Sequence, residues 1–147
     1  LLKENVGLVW SKRVLSNAPW DDVLVTHALT EVGVLAVRPS NGAPVAPLFL
    51  YEGDSRRPNF RPEILAQIEA SLGIRCVDGE PLPERHFRPV DLLDYIVGVL
   101  SSPDYREPHD ELLKLGPPRV PVPVDRLLFW RVVGVGEVVR VEYNAKN

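Results

Sequence analysis

The first third of the chain contains short apolar runs that alternate with turn signals. The runs, at residues 6–10, 23–26, 32–37 and 47–51, are rich in β-branched or aromatic residues. Asn17-Ala-Pro and Pro39-Ser-Asn-Gly separate some of them, which is typical of strands joined by turns. Residues 26–31 also fit a helical turn, so their period leaves both interpretations open.

From residue 62 onward, apolar positions recur with helical spacing. We predict a helix from Pro62 to Gly73, because proline suits the first helical position and glycine commonly follows the last. A second helix is predicted to begin at Pro89. A third follows Ser102-Pro103-Asp104, where a cap residue, a first-turn proline and an acid come in that order. The apolar stripes of the first two helices are Ile64, Leu65, Ile68 and Leu72, and Leu92, Leu93, Ile96, Val99 and Leu100.

The remaining segments are less regular. Residues 76–88 predict a proline-broken loop, and residues 117–123 must be extended because prolines restrict them. Residues 125–143 allow either a strand or a helix. Strands followed by helices predict an α+β fold. We therefore expect one domain over residues 1–147, with a β-rich part at 1–52 and a mainly helical part at 53–147.

Composition limits the class of protein. Of the 147 residues, 45% are hydrophobic and 25% charged, which is typical of a globular domain. The net charge of −3 disfavours a nucleic-acid partner unless a local basic patch exists. The single cysteine, Cys76, fits a reducing compartment, and no run reaches the roughly 18 apolar residues of a membrane helix. Because the chain also lacks methionine, we interpret it as a cytoplasmic fragment of a longer protein.

Motifs for catalysis are incomplete. Residues 116–119 retain only the Pro-Pro of a methyltransferase loop, and residues 103–114 place a lysine at the wrong distance for a metal-dependent nuclease. The histidines lack metal-ligand spacing. A nucleophile pair formed by Cys76 and His86 stays an alternative. We otherwise expect no catalytic site, metal or cofactor in these residues.

A basic cluster follows the turn at Gly53-Asp-Ser. Its members are Arg56, Arg57, Asn59 and Arg61. Guanidinium groups bind phosphate bidentately, and arginine or asparagine can read base edges. The alternative is that these arginines pair internally with Asp54 or Glu63.

Two stretches carry a family resemblance. One runs from Pro47-Leu-Phe-Leu-Tyr-Glu to Arg57-Pro-Asn-Phe. The other is DYIVGVLSSPDYR at residues 94–106, followed by Pro118-Arg-Val-Pro and Leu128-Phe-Trp. Together with Asn5-Val-Gly-Leu, Arg13 and Val23-Leu-Val-Thr, they resemble the C-terminal part of single-chain restriction-modification enzymes of the Type ISP and related Type IIG kind.

The resemblance implies a DNA-binding target recognition, or specificity, domain of a combined endonuclease and adenine DNA methyltransferase. The partners would be double-stranded DNA and the methyltransferase domain of the parent chain. The parent would use S-adenosylmethionine and Mg²⁺, and the Type ISP version also hydrolyses ATP. The alternative function is a structural module that packs on the methyltransferase without contacting DNA.

On this hypothesis, the turn presents Arg56 and Arg57 to the DNA backbone. Asn59 and Arg61 lie at the start of a helix whose N–H groups favour a phosphate. Base readout is expected from the β-rich part. Its candidates are Lys12, Arg13, Arg38, Ser40 and Asn41. Tyr95, Tyr105 and Trp130 are interpreted as core or interface aromatics.

The chain departs from the family pattern in three places. Thr26 is followed by His27, where the family carries an acid. Glu107-Pro108-His109 is expected to interrupt a helix that is usually continuous. Gly134 and Gly136 are expected to weaken the last helix.

Overall fold

The computed structural model describes residues 4–10, 17–21, 23–27 and 44–146. The fold is α+β as predicted, with strands mostly in the first half and four helices in the C-terminal half of this described part. The predicted strand at 32–37 lies outside the described residues, as does most of the ambiguous segment 26–31.

A three-stranded antiparallel sheet contains β1 (Gly7–Trp10), β2 (Val23–Thr26) and β3 (Val45–Pro47), in the order β2-β1-β3. Leu8 stands opposite Val25 on one side and Ala46 on the other. Val23 and Val25 are buried and alternate with half-exposed residues, because successive strand residues point to opposite faces. The first two predicted strands are confirmed.

The predicted strand at 47–51 is divided in two. β3 ends at Pro47, and β4 (Phe49–Glu52) pairs instead with β5 (Ser55–Pro58) in a separate two-stranded sheet. Leu48 is buried between them and donates its N–H to the Val6 carbonyl at 2.7 Å. Gly53, with φ 60°, occupies the first position of the hairpin turn, where a type II′ turn requires positive φ.

Proline begins three of the helices: α1 (Pro62–Leu72), α2 (Pro89–Ser101) and α3 (Pro103–Leu115). The predicted starts and the stop at Gly73, which has φ 65°, are confirmed. Ser102 precedes α3, but its hydroxyl caps no backbone N–H there. Within the segment predicted to be a loop, β6 (Arg75–Cys76) and β7 (His86–Phe87) form a short parallel pair.

The ambiguous last segment is a helix, α4 (Arg126–Lys146), which begins where the Asp125 carboxylate accepts the Leu128 N–H at 2.7 Å. Gly134 and Gly136 do not interrupt it. The expectation that residues 107–109 interrupt α3 is wrong, since α3 continues through Pro108. A proline there removes one helical hydrogen bond, to the carbonyl of Asp104 in the exposed first turn.

Helix α2 is the centre of the molecule, because both apolar clusters include its residues. One cluster joins the three-stranded sheet to α2, with Trp20, Val25, Leu93 and Val97 among its buried members. The other joins α1, α2 and α4, and includes Leu72, Phe87, Leu92, Phe129 and Val133. Burying a side chain such as Phe129, which is fully buried, contributes about 2–3 kcal/mol of stability.

A buried ion pair ties α4 to α2. Arg140 donates from Nε to one Asp94 oxygen at 2.6 Å and from Nη2 to the other at 2.9 Å. Burial raises the pKa of the Asp94 carboxyl, and the hydrogen bonds from Arg140 oppose that rise. The bidentate geometry favours the ionised pair.

Candidate nucleic-acid interface

The basic cluster lies on the β4–β5 hairpin and the residues that follow it. Arg56 stands opposite Tyr51, and Arg57 stands opposite Leu50. Both arginines belong to β5, so the expectation that a turn presents them is wrong. Because neighbouring strand residues point to opposite faces, the hairpin directs these two side chains to different sides.

Arg56 is held by an ion pair that the sequence did not reveal. Its Nε and Nη2 donate to the two oxygens of Asp78 at 2.8 and 2.6 Å. The guanidinium carbon lies 4.1 Å from the centre of the Phe49 ring, within range of a cation–π contact. The hydrogen bonds from Arg56 to Asp78, and then the hydrogen bond to Tyr51, raise the pKa of Arg56 above its ordinary value. Its side chain nevertheless stays 41% exposed.

Arg57 is less constrained. Its Nε lies 3.9 Å from a Glu52 oxygen, at the limit of an ion pair. Both side chains are well exposed, Arg57 at 60% and Glu52 at 82%. A surface pair of this kind contributes little, about 0–1 kcal/mol. Asp78 and Glu52 are thus acidic partners of the two arginines, and neither was among the partners, Asp54 and Glu63, that the sequence suggested.

Asn59 and Arg61 differ in their surroundings. The Asn59 amide donates to the Pro47 carbonyl at 2.9 Å, and its backbone N–H donates to the Leu48 carbonyl at 2.8 Å. Asn59 thus joins the end of the hairpin to the sheet. Arg61 is the exposed cap residue of α1, where its side chain makes no capping bond. Glu63 follows in the first turn of the same helix.

The residues proposed to read bases belong to parts of the chain that the structure does not describe. Lys12, Arg13, Arg38, Ser40 and Asn41 all lie outside the described residues. β1 ends at Trp10, and β3 begins at Val45 in the same sheet.

The catalytic alternative gains no support from the geometry. Cys76 and His86 lie on the paired strands β6 and β7, but His86 Nδ1 accepts the Leu82 N–H at 3.1 Å. Burial, followed by Glu69 and Asp78, raises the pKa of the Cys76 thiol to about 12. Such a thiol is almost entirely protonated at neutral pH and is a poor nucleophile.

The described part of the chain contains neither a metal-binding cluster nor a membrane-spanning helix. Within residues 4–10, 17–21, 23–27 and 44–146, no group of three or more His, Cys, Asp or Glu could hold a metal ion. In the same ranges, no helix has the length and apolar character needed to cross a membrane.

The aromatic residues interpreted as core or interface residues contact other parts of the protein, with Tyr105 and Trp130 only partly buried. Tyr95 is buried, and its hydroxyl donates to the Pro121 carbonyl at 3.0 Å. The Tyr105 hydroxyl donates to the Arg119 carbonyl. Trp130 makes an edge contact with Phe129 at 5.1 Å between ring centres.

Two apolar surfaces remain on the helical half. A groove of about 800 Å³ runs between α3 and the extended segment after it, lined by residues that include Tyr105, Leu112, Leu115 and Pro121. The second surface is an exposed stripe on α4. Its members are Leu127, Leu128, Val135, Val138 and Val141. Such surfaces favour contact with another part of a protein.

Asp78, Phe49 and Asn5 were missed by the sequence analysis. Asn5 Nδ2 donates to the Phe49 carbonyl at 2.8 Å, and the Phe49 N–H donates to Asn5 Oδ1 at 3.1 Å. Asn5 therefore fixes the hairpin to β1. Because Asp78 follows Arg56 by 22 residues, no local pattern signals their pairing.

Comparison with known proteins places this arrangement in context. A family model described as the Type ISP C-terminal specificity domain matches residues 2–141. A cryo-EM structure of a DrdV–DNA complex has a similar fold, with a TM-score of 0.69 and 20% sequence identity over 95% of this chain. The chain corresponds to only 12% of the length of that protein chain. No curated protein matches the sequence.

Proposed function

This chain belongs to the Type ISP C-terminal specificity domain family, and we propose that it binds double-stranded DNA as the target recognition domain of a restriction-modification enzyme. The observation that carries the proposal is the family match over residues 2–141. The similar fold in a protein that was solved with DNA supports it. The parent enzyme would supply the nuclease and the adenine methyltransferase, which would use Mg²⁺ and S-adenosylmethionine, and ATP in a Type ISP enzyme.

The exposed basic side chains of the hairpin region would provide the first contacts. Arg57 and Arg61 are exposed and loosely held, so they suit phosphate oxygens. Asn59 lies between them, although its amide already serves the hairpin. Lys12, Arg13, Arg38 and Asn41 stay candidates for base contacts. A local basic patch can bind DNA even in an acidic domain, because binding depends on the electrostatic field at the contact and not on the net charge of the domain.

A second function is favoured by the apolar surfaces of the helical half. The exposed stripe on α4 and the groove beside α3 would suit a module that packs on a methyltransferase domain without contacting DNA. The two functions differ in what the hairpin arginines do. Only the first function requires them for binding.

The test is a selection from a random pool of DNA duplexes, at low and at near-physiological salt. Enrichment of one short sequence is expected for the wild-type protein. The double reversal Arg57→Glu with Arg61→Glu should abolish binding without changing the unfolding midpoint. Arg131→Glu, an exposed arginine on α4, is the matched control. Arg56 is left out because a glutamate there would face Asp78.

Selective binding that survives the double reversal would move the interface away from the hairpin. Unselective binding that disappears with salt would indicate a backbone clamp. A complete lack of binding at both salt concentrations would favour the packing module.

A further inference from the structure

Arg56 is held from several directions although it lies at the surface. Asp78 accepts hydrogen bonds from two of its nitrogens, the Tyr51 side chain forms a further hydrogen bond with it, and the guanidinium carbon lies over the Phe49 ring. Long exposed side chains usually keep several rotamers, and fixing them in one rotamer costs conformational entropy. Arg56 has met that cost before any ligand arrives.

The two hydrogen bonds to Asp78 use one edge of the guanidinium, and the other edge is called the outward edge below. A guanidinium is planar and has two edges that can each donate a pair of parallel hydrogen bonds. Asp78 occupies the edge formed by Nε and Nη2. The edge formed by Nη1 and the second hydrogen of Nη2 therefore points away from this carboxylate.

The net charge of the Arg56–Asp78 pair indicates which kind of hydrogen-bond acceptor on DNA would suit it. Asp78 neutralises Arg56, so the two together offer directed donors without net positive charge. A phosphate is bound chiefly through charge, whereas a base edge is read through direction. The O6 and N7 atoms of guanine form a neutral acceptor pair in the major groove, and arginine donates to both. The groove also admits a two-stranded β-ribbon, which is what β4 and β5 form.

We propose that Arg56 reads a guanine through its outward edge, with Asp78 and Phe49 as positioning residues. The inference rests on the proposed DNA-binding function and deepens it. It departs from the expectation that Arg56 contacts the backbone. Arg57, on the opposite face of β5, keeps the role of a phosphate contact.

The complete protein is tested by the same duplex selection, as wild type and as Arg56→Ala, Asp78→Asn and Glu80→Gln. Arg56→Ala should reduce the preference for guanine at one position by roughly five- to 150-fold. The preferences at the other positions of the selected sequence should stay unchanged. Asp78→Asn should weaken the preference for guanine at the same base pair and leave the salt dependence of DNA affinity unchanged. Glu80→Gln removes an exposed carboxylate from the same loop and should change neither.

A guanine analogue without the N7 acceptor gives a second measurement. At the selected position, it should weaken the wild type but not Arg56→Ala. The inference is overturned if Arg56→Ala lowers affinity for all sequences equally, or if Asp78→Asn strengthens all binding and steepens its salt dependence. Either result leaves the proposed function intact. Lack of selective binding by the wild type would overturn both.

Discussion

Gly134 and Gly136 lie two residues apart in α4 but differ in their surroundings. A Cβ on Gly136 would overlap the Asp94 carbonyl oxygen and lie 2.9 Å from the Gly98 nitrogen, whereas one on Gly134 would meet no atom within 4 Å. The small residue at 136 therefore permits the close approach of α2 and α4. The sequence suggested the same helix-weakening role for both positions.

We expect Gly136→Ala to destabilise the protein by about 1–3 kcal/mol or more, because α2 and α4 must separate. Gly134→Ala is the matched control, and it should stabilise the protein by about 1 kcal/mol through helix propensity. Urea unfolding measures both. Equal effects of the two substitutions would contradict the packing argument.

Asp110 has a role that depends on its charge. Its carboxylate pairs with Lys114 at 2.6 Å and accepts a hydrogen bond from the backbone N–H of Trp20 at 2.6 Å. The hydrogen bonds from Lys114 and then Trp20 lower the pKa of Asp110. Because the pKa is lower in the folded state, this carboxylate stabilises the protein above the unfolded pKa of about 3.9. That stability is lost as pH falls through the folded pKa.

We expect Asp110→Asn to be less stable than wild type near neutral pH, and the difference in stability should shrink as pH falls through the folded pKa of Asp110. Unfolding midpoints between about pH 2 and pH 6 measure this convergence. The control is Glu111→Gln, an exposed neighbour that makes no ion pair within the described ranges. A constant difference at all pH values would exclude the charge effect.

At the level of elements, helix starts and stops were predictable because their signals are local. Pro62, Pro89 and Pro103 mark first positions, and Gly73 ends α1. The β4–β5 hairpin was not predicted, because Arg56 and Arg57 lack strand propensity and pairing with β4 decides their conformation. Contacts to α2 likewise decide in favour of a helix for the valine-rich α4.

The candidate site was predictable only in part for the same reason. The basic residues are visible in the sequence. The order of the motifs around them carries the family resemblance, which the family match confirms. Their partners are not visible, since Asp78 and Asn5 reach the hairpin from distant positions. The DNA contacts of Arg56, Arg57, Asn59 and Arg61 stay predictions.

The link between α2 and α4 gives a prediction about elements. Arg140→Met would leave Asp94 buried without its partner and should cost about 3–5 kcal/mol. The double variant Asp94→Leu with Arg140→Met removes both charges and should recover most of that loss. Chemical denaturation of the two variants measures the difference. If the double variant is as unstable as the single one, charge burial is not the cause.

At the level of the whole molecule, the net charge of −3 means that the proposed DNA binding would depend on a few local contacts. Each phosphate contact that is lost should reduce the slope of log affinity against log salt by about 0.9. We expect this reduction for Arg57→Gln and no change for Arg131→Gln. Titrations at several salt concentrations measure it. An unchanged slope for Arg57→Gln would exclude Arg57 as a phosphate contact.

Alkylation of the single cysteine can report local opening near the hairpin. Cys76 lies two residues before Asp78, and its thiol, with a pKa of about 12, should resist alkylation while the strand pair is closed. Alkylation then reports how often β6 and β7 separate. If bound DNA holds Arg56 against Asp78, it should also slow the alkylation of Cys76. The rate of alkylation would then measure how often the loop that carries Asp78, and so orients Arg56, opens.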